Sequence, residues 1–423
     1  MLQKPKGTYD IYGDDAKRLL YLRKLIVALM DKYNYNYIET PIFEASELFH
    51  RGVGETSDIV SKETYDFKDR GERNLTLRPE GTAGVVRAYI ENKLYTSAMP
   101  YKAWYFGPMF RYERPQAGRN RQFTQFGAEV FGSDDPLVDA EVISILVNFF
   151  SLLGLKGIKV NINTLGDNES RENYRKALLD YFRPHLDELC DDCKTRFEKN
   201  PLRILDCKID GKSDIMKNAP KIQEFLNDKS KEHFSKVKEY LKALNVDYVV
   251  NDNLVRGLDY YTHTVFEVEA DIKGFGAQNV LGGGGRYDNL VETLGGPKNS
   301  GVGFAIGVDR LLLALKASDI DILEENGLDV YVFPLDDAQK AFCFMITNML
   351  RVNGFNADSD LMGRNMKNNF KRADKLDAKF VVLAGSLEEE KNIVTVKNNK
   401  TLEEYKVKIE NLVQFLDQKI DEE

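Results

Sequence analysis

Two strand-like segments, residues 103–113 and 122–132, joined by the polar loop Arg114 to Arg121, constrain the fold more than any other feature of the chain. Side chains on a strand alternate faces. In FTQFGAEVF, Phe123, Gln125, Gly127, Glu129 and Phe131 therefore share one face, while Phe126, Ala128 and Val130 turn to an apolar face expected to meet a core. In WYFGPMFRYE, Gly107, Arg111 and Glu113 share a side, and Trp104, Phe106, Phe110 and Tyr112 line the other. The pair reads as an antiparallel hairpin with a connection longer than a tight turn. Burying Arg111, Glu113, Gln125 and Glu129 together is costly unless something polar fills the space. Either this face is solvated and salt-bridged, or a polar ligand lies on it, with Gly127 leaving a gap above the sheet.

Around the hairpin, Leu19, Leu22, Ile26, Leu29 and Tyr33 recur at steps of three and four, which predicts an amphipathic helix from Asp14 to Tyr33, with Asp14 as its N-cap. The aromatic run that follows contains Pro41, which suits a strand edge or a kink. A strand, NLTLR, leads to a turn at Pro79-Glu80-Gly81 and a helix opening near Thr82; another helix is expected at 137–153. From 168 to 252 charge rises, helical spacing dominates and strands vanish. Strand character returns at 254–270 and 277–285, and a glycine-rich stretch leads to a helix at 308–316. After a linker at 318–328, VYVFPL, a helix at 337–352, ADSDLM, a helix at 364–377 and KFVVLAG alternate as in a small α/β unit with a largely parallel sheet. The expected fold is an α+β domain with a mostly antiparallel sheet flanked by helices, formed by residues 1–167 and 253–325. A helical insertion at 168–252 interrupts it, and a C-terminal α/β domain follows at 327–423.

The net charge is −8, whereas a protein that coats nucleic acid is usually basic; local basic patches still allow RNA binding. No apolar run reaches the roughly 18 residues of a membrane helix, and the N-terminus lacks the apolar stretch of a secretory signal. A cytoplasmic protein is expected. Four cysteines are too sparse for a disulfide framework. Cys190 and Cys193 form a CxxC, with Cys207 fourteen residues later, but a zinc site wants a fourth ligand. Neither Cys343 nor His50, His185, His233 or His263 falls at a suitable spacing. The thiols read as reduced residues of a helical region, with no metal site.

Four further segments gather polar groups. At Arg78-Pro79-Glu80-Gly81-Thr82, backbone amides are free at a helix start; Glu80 either caps them or points toward an ammonium. Arg256-Gly257-Leu258-Asp259-Tyr260-Tyr261 brings an arginine, an acid and two phenols together, for phosphate binding or an edge-strand ion pair. The run Gly282 to Gly285, followed by Arg286-Tyr287-Asp288, must pass close to something, yet it is neither a Walker A loop nor a dinucleotide fingerprint. In GVGFAIGVDR, Arg310 falls in a helix's first turn and opposes its dipole. A ligand phosphate or a nearby acid such as Asp309 should compensate.

In this order the segments resemble the three motifs of class II aminoacyl-tRNA synthetases: YIETPIFE, then FRYE with FTQFGAEVFG, then GVGFAIGVDR. The class I signatures HIGH and KMSKS are absent. RGLDYYTHTVFE and GGGGRYDNL, with TLRPEGT and RPQAGRNRQFTQ, resemble the histidyl-tRNA synthetase family over nearly the whole chain. The resemblance implies ATP-dependent ligation of L-histidine to tRNA(His) through a histidyl-adenylate, with AMP and pyrophosphate released. It implies Arg111 and Arg256 as catalytic arginines on either side of the ATP α-phosphate, Glu113 at the adenine edge, and Arg310 over the adenine reaching the γ-phosphate. Glu80, Thr82 and Gln125 would receive the α-ammonium of histidine; Glu129, Tyr261 and Tyr287 its imidazole. Arg114 and Gln116 would meet the acceptor end of the tRNA. Mg²⁺ is implied with ATP, a homodimer through the first motif, and anticodon binding for residues 327–423.

The alternative is a catalytically inactive, synthetase-like regulatory subunit of histidine biosynthesis, a class that lacks the last domain and loses active-site residues. In the C-terminal unit, Arg364, Lys367, Lys371, Arg372, Lys375 and Lys379 stand against Asp374 and Asp377, either as a solvated face or as a phosphate-contacting one.

Overall fold

In a computed structural model, which describes residues 2–54, 57, 59–207, 209–272, 279–323 and 327–422, the chain forms two compact units, Met1–Leu323 and Glu324–Glu423. The start of the strand expected at 277–285 and the middle of the linker expected at 318–328 lie outside the described residues.

The strands of the first unit are β1 (Asn36–Tyr37), β2 (Phe43–Ala45), β3 (Tyr65–Lys68), β4 (Asn74–Leu77), β5 (Tyr101–Phe110), β6 (Gln122–Phe131), β7 (Lys159–Thr164), β8 (Tyr248–Val250), β9 (Thr262–Glu269), β10 (Val280–Arg286) and β11 (Gly301–Gly307). Among the described residues, eight of them form one sheet in the order β1-β5-β6-β11-β10-β9-β7-β8. The two edge pairs, β1 with β5 and β7 with β8, are parallel, and the inner pairs are antiparallel. The sheet is thus mostly antiparallel. β2, β4 and β3 form a separate small sheet.

Alternation in β6 sorts its two faces. Phe126, Ala128 and Val130 join a core with Trp104 and Phe304 under the helices Gly13–Lys32 and Pro136–Leu152, which contribute residues such as Ile26 and Phe149. The opposite face packs against the helix Thr82–Glu91 through Val85 and Tyr89, and against Tyr174, Leu178 and Phe182 from the segment after β7. This second cover is partial, and the uncovered part is the site.

Several local expectations change. The first helix is capped by Tyr12 without a side-chain bond, and Asp14 lies inside its first turn, where a carboxylate favours the helix dipole. Strands do not vanish from 168 to 252: β8 extends the main sheet beside β7, and three residues are too short to show alternation.

The second unit holds β12 (Val330–Pro334), β13 (Ala357–Ser359), β14 (Phe380–Ala384), β15 (Ile393–Asn398) and β16 (Glu404–Lys408), ordered β13-β12-β14-β15-β16. β12 pairs in parallel with β13 and β14, but β14, β15 and β16 run antiparallel. The sheet is therefore mixed rather than largely parallel, because a hairpin follows the last strand expected from the sequence.

Candidate active site

Residues opposite one another in register share a face. Across the uncovered side of the sheet, one row therefore runs Ala103, Glu129, Gly303, Gly285, Val265, and the next runs Tyr105, Gly127, Ala305, Gly283, Glu267. The glycines are needed for what lies above them. A Cβ would collide with the Tyr105 hydroxyl at Gly127, the Arg256 guanidinium at Gly283, the Tyr261 ring at Gly285 and the Glu129 carboxylate at Gly303. The gap expected above Gly127 is thus taken by Tyr105. Side chains lying flat on a bare floor leave a cavity of about 820 Å³, within the roughly 300–1,000 Å³ usual for small-molecule sites.

One end of the cavity is built around carboxylates. Glu80 accepts the Thr82 amide at 2.8 Å and the Ala83 amide at 2.7 Å. It caps the helix that opens there and also faces the cavity; burial raises its pKa. Gln125 Oε1 accepts the Gly81 amide at 3.1 Å and the Tyr105 hydroxyl at 3.3 Å. The Thr82 hydroxyl donates to Glu129 Oε1 at 2.7 Å, and the Tyr287 hydroxyl donates to Oε2. Glu129 is 1% exposed. Burial pushes its pKa up to about 8, against the Tyr287 and Thr82 hydrogen bonds that favour the carboxylate. Tyr261 lies beside Tyr260, ring centroids 4.7 Å apart, and Tyr260 meets the Tyr287 ring at 5.5 Å. Glu80, Thr82, Gln125, Glu129, Tyr261 and Tyr287 all line the one cavity.

The other end is cationic. Arg111 Nε donates to Pro79 O at 2.9 Å, and its guanidinium lies 5.3 Å over the Phe123 ring. Arg256 pairs with Glu267, while its buried Nε has no hydrogen-bond partner among the described residues. Arg310 donates to Val280 O at 2.9 Å. Asp309 does not compensate it: that carboxylate accepts the Thr124 amide at 2.7 Å. Burial lowers the Arg310 pKa, and the charge of Arg119 lowers it further. Glu113 lies 3.5 Å from Arg119. Arg111, Glu113, Arg256 and Arg310 line the same cavity as the carboxylate end.

The alternation expected to continue through Glu113 breaks at Phe110, where β5 ends. Tyr112 is 53% exposed instead of core-facing, with the Arg121 guanidinium 3.9 Å over its ring. Arg114 and Gln116 are exposed and lie outside the cavity lining. Gln116 and Arg119 bridge across a tight loop tip in which Gly118 has φ +71°, and this turns Arg119 and Asn120 inward. Sequence reading missed both, since nothing in the spacing says which loop cation turns in. It also missed Glu267, although the alternation of β9 places it opposite Gly283.

Three other sequence features resolve differently. Arg286 is not a cavity residue; it pairs with Asp139 in the interior. In the C-terminal unit, Arg364 and Lys379 pair with Asp360 and Asp329 at 2.7 and 3.1 Å, while Lys367, Lys371 and Lys375 are exposed. Cys190, Cys193 and Cys207 do find a fourth donor, Asp210, with all four ligand atoms within 4.8 Å of one another. Considering only cysteine and histidine had hidden it.

A family model described as histidyl-tRNA synthetase matches residues 7–311, and one described as an anticodon binding domain matches residues 329–419. The chain is 50% identical to a histidine–tRNA ligase of Oceanobacillus iheyensis over 99% of its own length and 98% of that protein. It superposes on the crystal structure of apo histidyl-tRNA synthetase from S. aureus with a TM-score of 0.85 at 42% identity, covering 98% of this chain and 100% of that one. A Bacillus halodurans structure titled as an ATP phosphoribosyltransferase regulatory subunit/histidyl-tRNA synthetase gives a TM-score of 0.64 at 21% identity, covering 91% and 99%. At that identity the likeness shows a shared fold alone.

Proposed function

The chain belongs to the histidyl-tRNA synthetase family, and from that premise we propose how its cavity carries out the reaction of a histidine–tRNA ligase. The enzyme is a class II aminoacyl-tRNA synthetase that activates histidine with ATP and transfers it to tRNA. The regulatory-subunit alternative is not favoured: the anticodon-binding domain is present and the identity to histidine–tRNA ligases extends over the full chain.

The observation that carries the reading is one cavity with Glu129 and Tyr287 at one end and Arg111, Arg256 and Arg310 at the other. Histidine lies at the carboxylate end. Imidazole has a nitrogen on each side, which Glu129 and a tyrosine hydroxyl, Tyr261 or Tyr287, satisfy; Glu80, Thr82 and Gln125 receive the α-ammonium. A site built to hydrogen-bond its substrate rejects analogues lacking those groups by large factors.

In the first step a histidine carboxylate oxygen bonds to the α-phosphorus as the bond to the pyrophosphate oxygen breaks. Charge builds on the α-phosphate, and Arg111 and Arg256 stabilise it from two sides, each by about 3 kcal/mol. Arg256, which lines the cavity while paired with Glu267, is the second of these arginines. No protein base is needed, because the attacking carboxylate is already ionised. Glu113 meets the adenine edge, and Arg310 lies over the adenine and reaches the γ-phosphate.

Mg²⁺ fits this site. Glu113 and Glu267 line the cavity, and one or both carboxylates would hold the ion that accompanies ATP, since a hard cation prefers oxygen ligands. It would neutralise pyrophosphate charge. In the second step the terminal ribose hydroxyl of tRNA(His) attacks the adenylate carbonyl and AMP leaves. Arg114 and Gln116 remain exposed to meet the acceptor end, and Lys367, Lys371 and Lys375 to meet anticodon-stem phosphates.

A homodimer is supported by an apolar patch on the first motif, where Ile42 and Phe43, with Phe67 against Phe43, are 45%, 53% and 41% exposed; patches of this kind mark interfaces. No helix among the described residues is long and apolar enough to cross a membrane, and the enzyme acts on cytoplasmic tRNA. ATP–pyrophosphate exchange run with each of the twenty amino acids tests the reading. Exchange with histidine alone is expected; exchange driven by another amino acid, or by none, overturns it.

A further inference from the structure

Apart from the residues assigned to histidine and ATP, the segment after β7 carries a cluster that the reaction does not use, one member of which, Cys207, lines the cavity wall. Cys190 and Cys207 face each other with Sγ atoms 3.7 Å apart, and Cys207 Sγ lies 3.7 Å from Asp210 Oδ2. The Cys193 thiol completes a set of four donors, all within 4.8 Å of one another. With Zn–S bonds of about 2.3 Å and Zn–O bonds of about 2.0–2.2 Å, a tetrahedral site has S–S edges of ~3.8 Å and S–O edges of ~3.5–3.7 Å. The Cys190–Cys207 and Cys207–Asp210 distances lie close to these.

The donors come in two matched pairs, Cys190-x-x-Cys193 and Cys207-x-x-Asp210. In the second, the Asp210 amide donates to Cys207 Sγ at 3.3 Å. The Cys190 amide donates to Asp210 Oδ2 at 3.0 Å and fixes that carboxylate toward the thiols. The first pair sits at the start of the helix Asp191–Lys199, whose dipole favours thiolates. Cys193 is 0% and Cys207 6% exposed. Three thiols and a carboxylate converging within 4.8 Å are the soft and hard donors of a closed zinc site.

We propose that Cys190, Cys193, Cys207 and Asp210 bind a structural zinc ion that staples the segment between them against the catalytic cavity. Binding releases the thiol protons to solvent and forms three Zn–S bonds and one Zn–O bond, with no change in oxidation state. The closed four-ligand set leaves no open position, so the ion is structural and not catalytic. Its effect on the site runs through the stapled residues. Arg203 Nη1 donates to Gly257 O at 3.1 Å and Asn200 Nδ2 to Asp259 Oδ1 at 2.9 Å, and these bonds hold the strip that begins with Arg256.

The test is made on the full chain, expressed in zinc-supplemented medium without a metal-binding tag and purified anaerobically under reduction. One zinc per chain is expected by elemental analysis. After chelation, adding Co²⁺ alone should give the intense thiolate-to-cobalt absorption and the visible bands of a tetrahedral site. Asp210→Ala should weaken metal affinity by about tenfold or more, and Cys193→Ser should abolish the cobalt–thiolate band. Cys343→Ser, in the other unit, should leave metal content unchanged. If Cys193→Ser does not fold, the spectrum of the unsubstituted protein still decides. Background zinc together with no cobalt–thiolate band overturns the proposal, as does a Cys190–Cys207 disulfide in the anaerobically purified chain.

Discussion

The Tyr287 hydroxyl donates to the buried Glu129 carboxylate from the end of the glycine-rich strand, two residues past Gly285. The sequence separates these residues by more than a hundred positions, yet β11 between their strands brings them together, since Gly301 leaves no Cβ against the Tyr287 ring. Removing the hydroxyl in Tyr287→Phe deletes the hydrogen bond that holds the Glu129 carboxyl, worth roughly 0.5–1.5 kcal/mol. We expect histidine KM in pyrophosphate exchange to rise about 2- to 13-fold by that energy, with ATP KM little changed. An equal rise in both constants would remove Tyr287 from imidazole recognition.

Glu129 also makes stability depend on pH. Its pKa rises from the ordinary 4.5 to about 8 on folding, chiefly through burial. A raised carboxyl contributes stability that is complete below its unfolded value and is lost as pH rises through about 8. Glu129→Gln cannot titrate. Without ligands, the melting temperature of the wild type should therefore fall relative to Glu129→Gln across that window and run parallel above it. Parallel curves throughout, measured by differential scanning fluorimetry, contradict the assignment.

Arg111 is anchored through Nε to Pro79 O and through Phe123, so its terminal amino groups are aimed without being consumed. Arg111→Ala should lower kcat for histidyl-adenylate formation by about 10²–10³-fold in single-turnover measurements, with a melting temperature close to that of the wild type. A smaller kinetic loss accompanied by unfolding would make it a structural residue.

Arg286 is the opposite case. It is 1% exposed, pairs with fully buried Asp139 and donates to Ser133 O at 2.9 Å. Removing one partner of a buried pair costs ~3–5 kcal/mol. Urea unfolding of Arg286→Ala should show a loss of that order, and Arg286→Lys should recover only part of it, because lysine lacks the planar fork.

How much of this was legible in the sequence follows from physics at particular residues. Alternation in β6 was readable because its two faces differ in polarity along the whole strand, so Gln125 and Glu129 fell on the site side as expected. The same argument failed for Tyr112, because β5 ends at Phe110 and the loop is redirected where the Arg121 amide bonds to Gly7 O at 2.8 Å. The glycine run announced a close approach but not its partners; these proved to be Arg256 and Tyr261, from a strip that no periodicity connects to it. Glu80 stood between two readings, and it serves as a helix cap that also faces the cavity. Asp210 carried no signal, since an aspartate near cysteines is common and only the fold turns it inward.

The account rests on one cavity binding histidine at its carboxylate end and ATP at its cationic end. A crystal structure of the protein with histidine and a non-hydrolysable ATP analogue tests this most directly. We predict an imidazole hydrogen-bonded to Glu129 and the α-phosphate between Arg111 and Arg256. Ligand density elsewhere, with those side chains contacting none of it, would contradict the account.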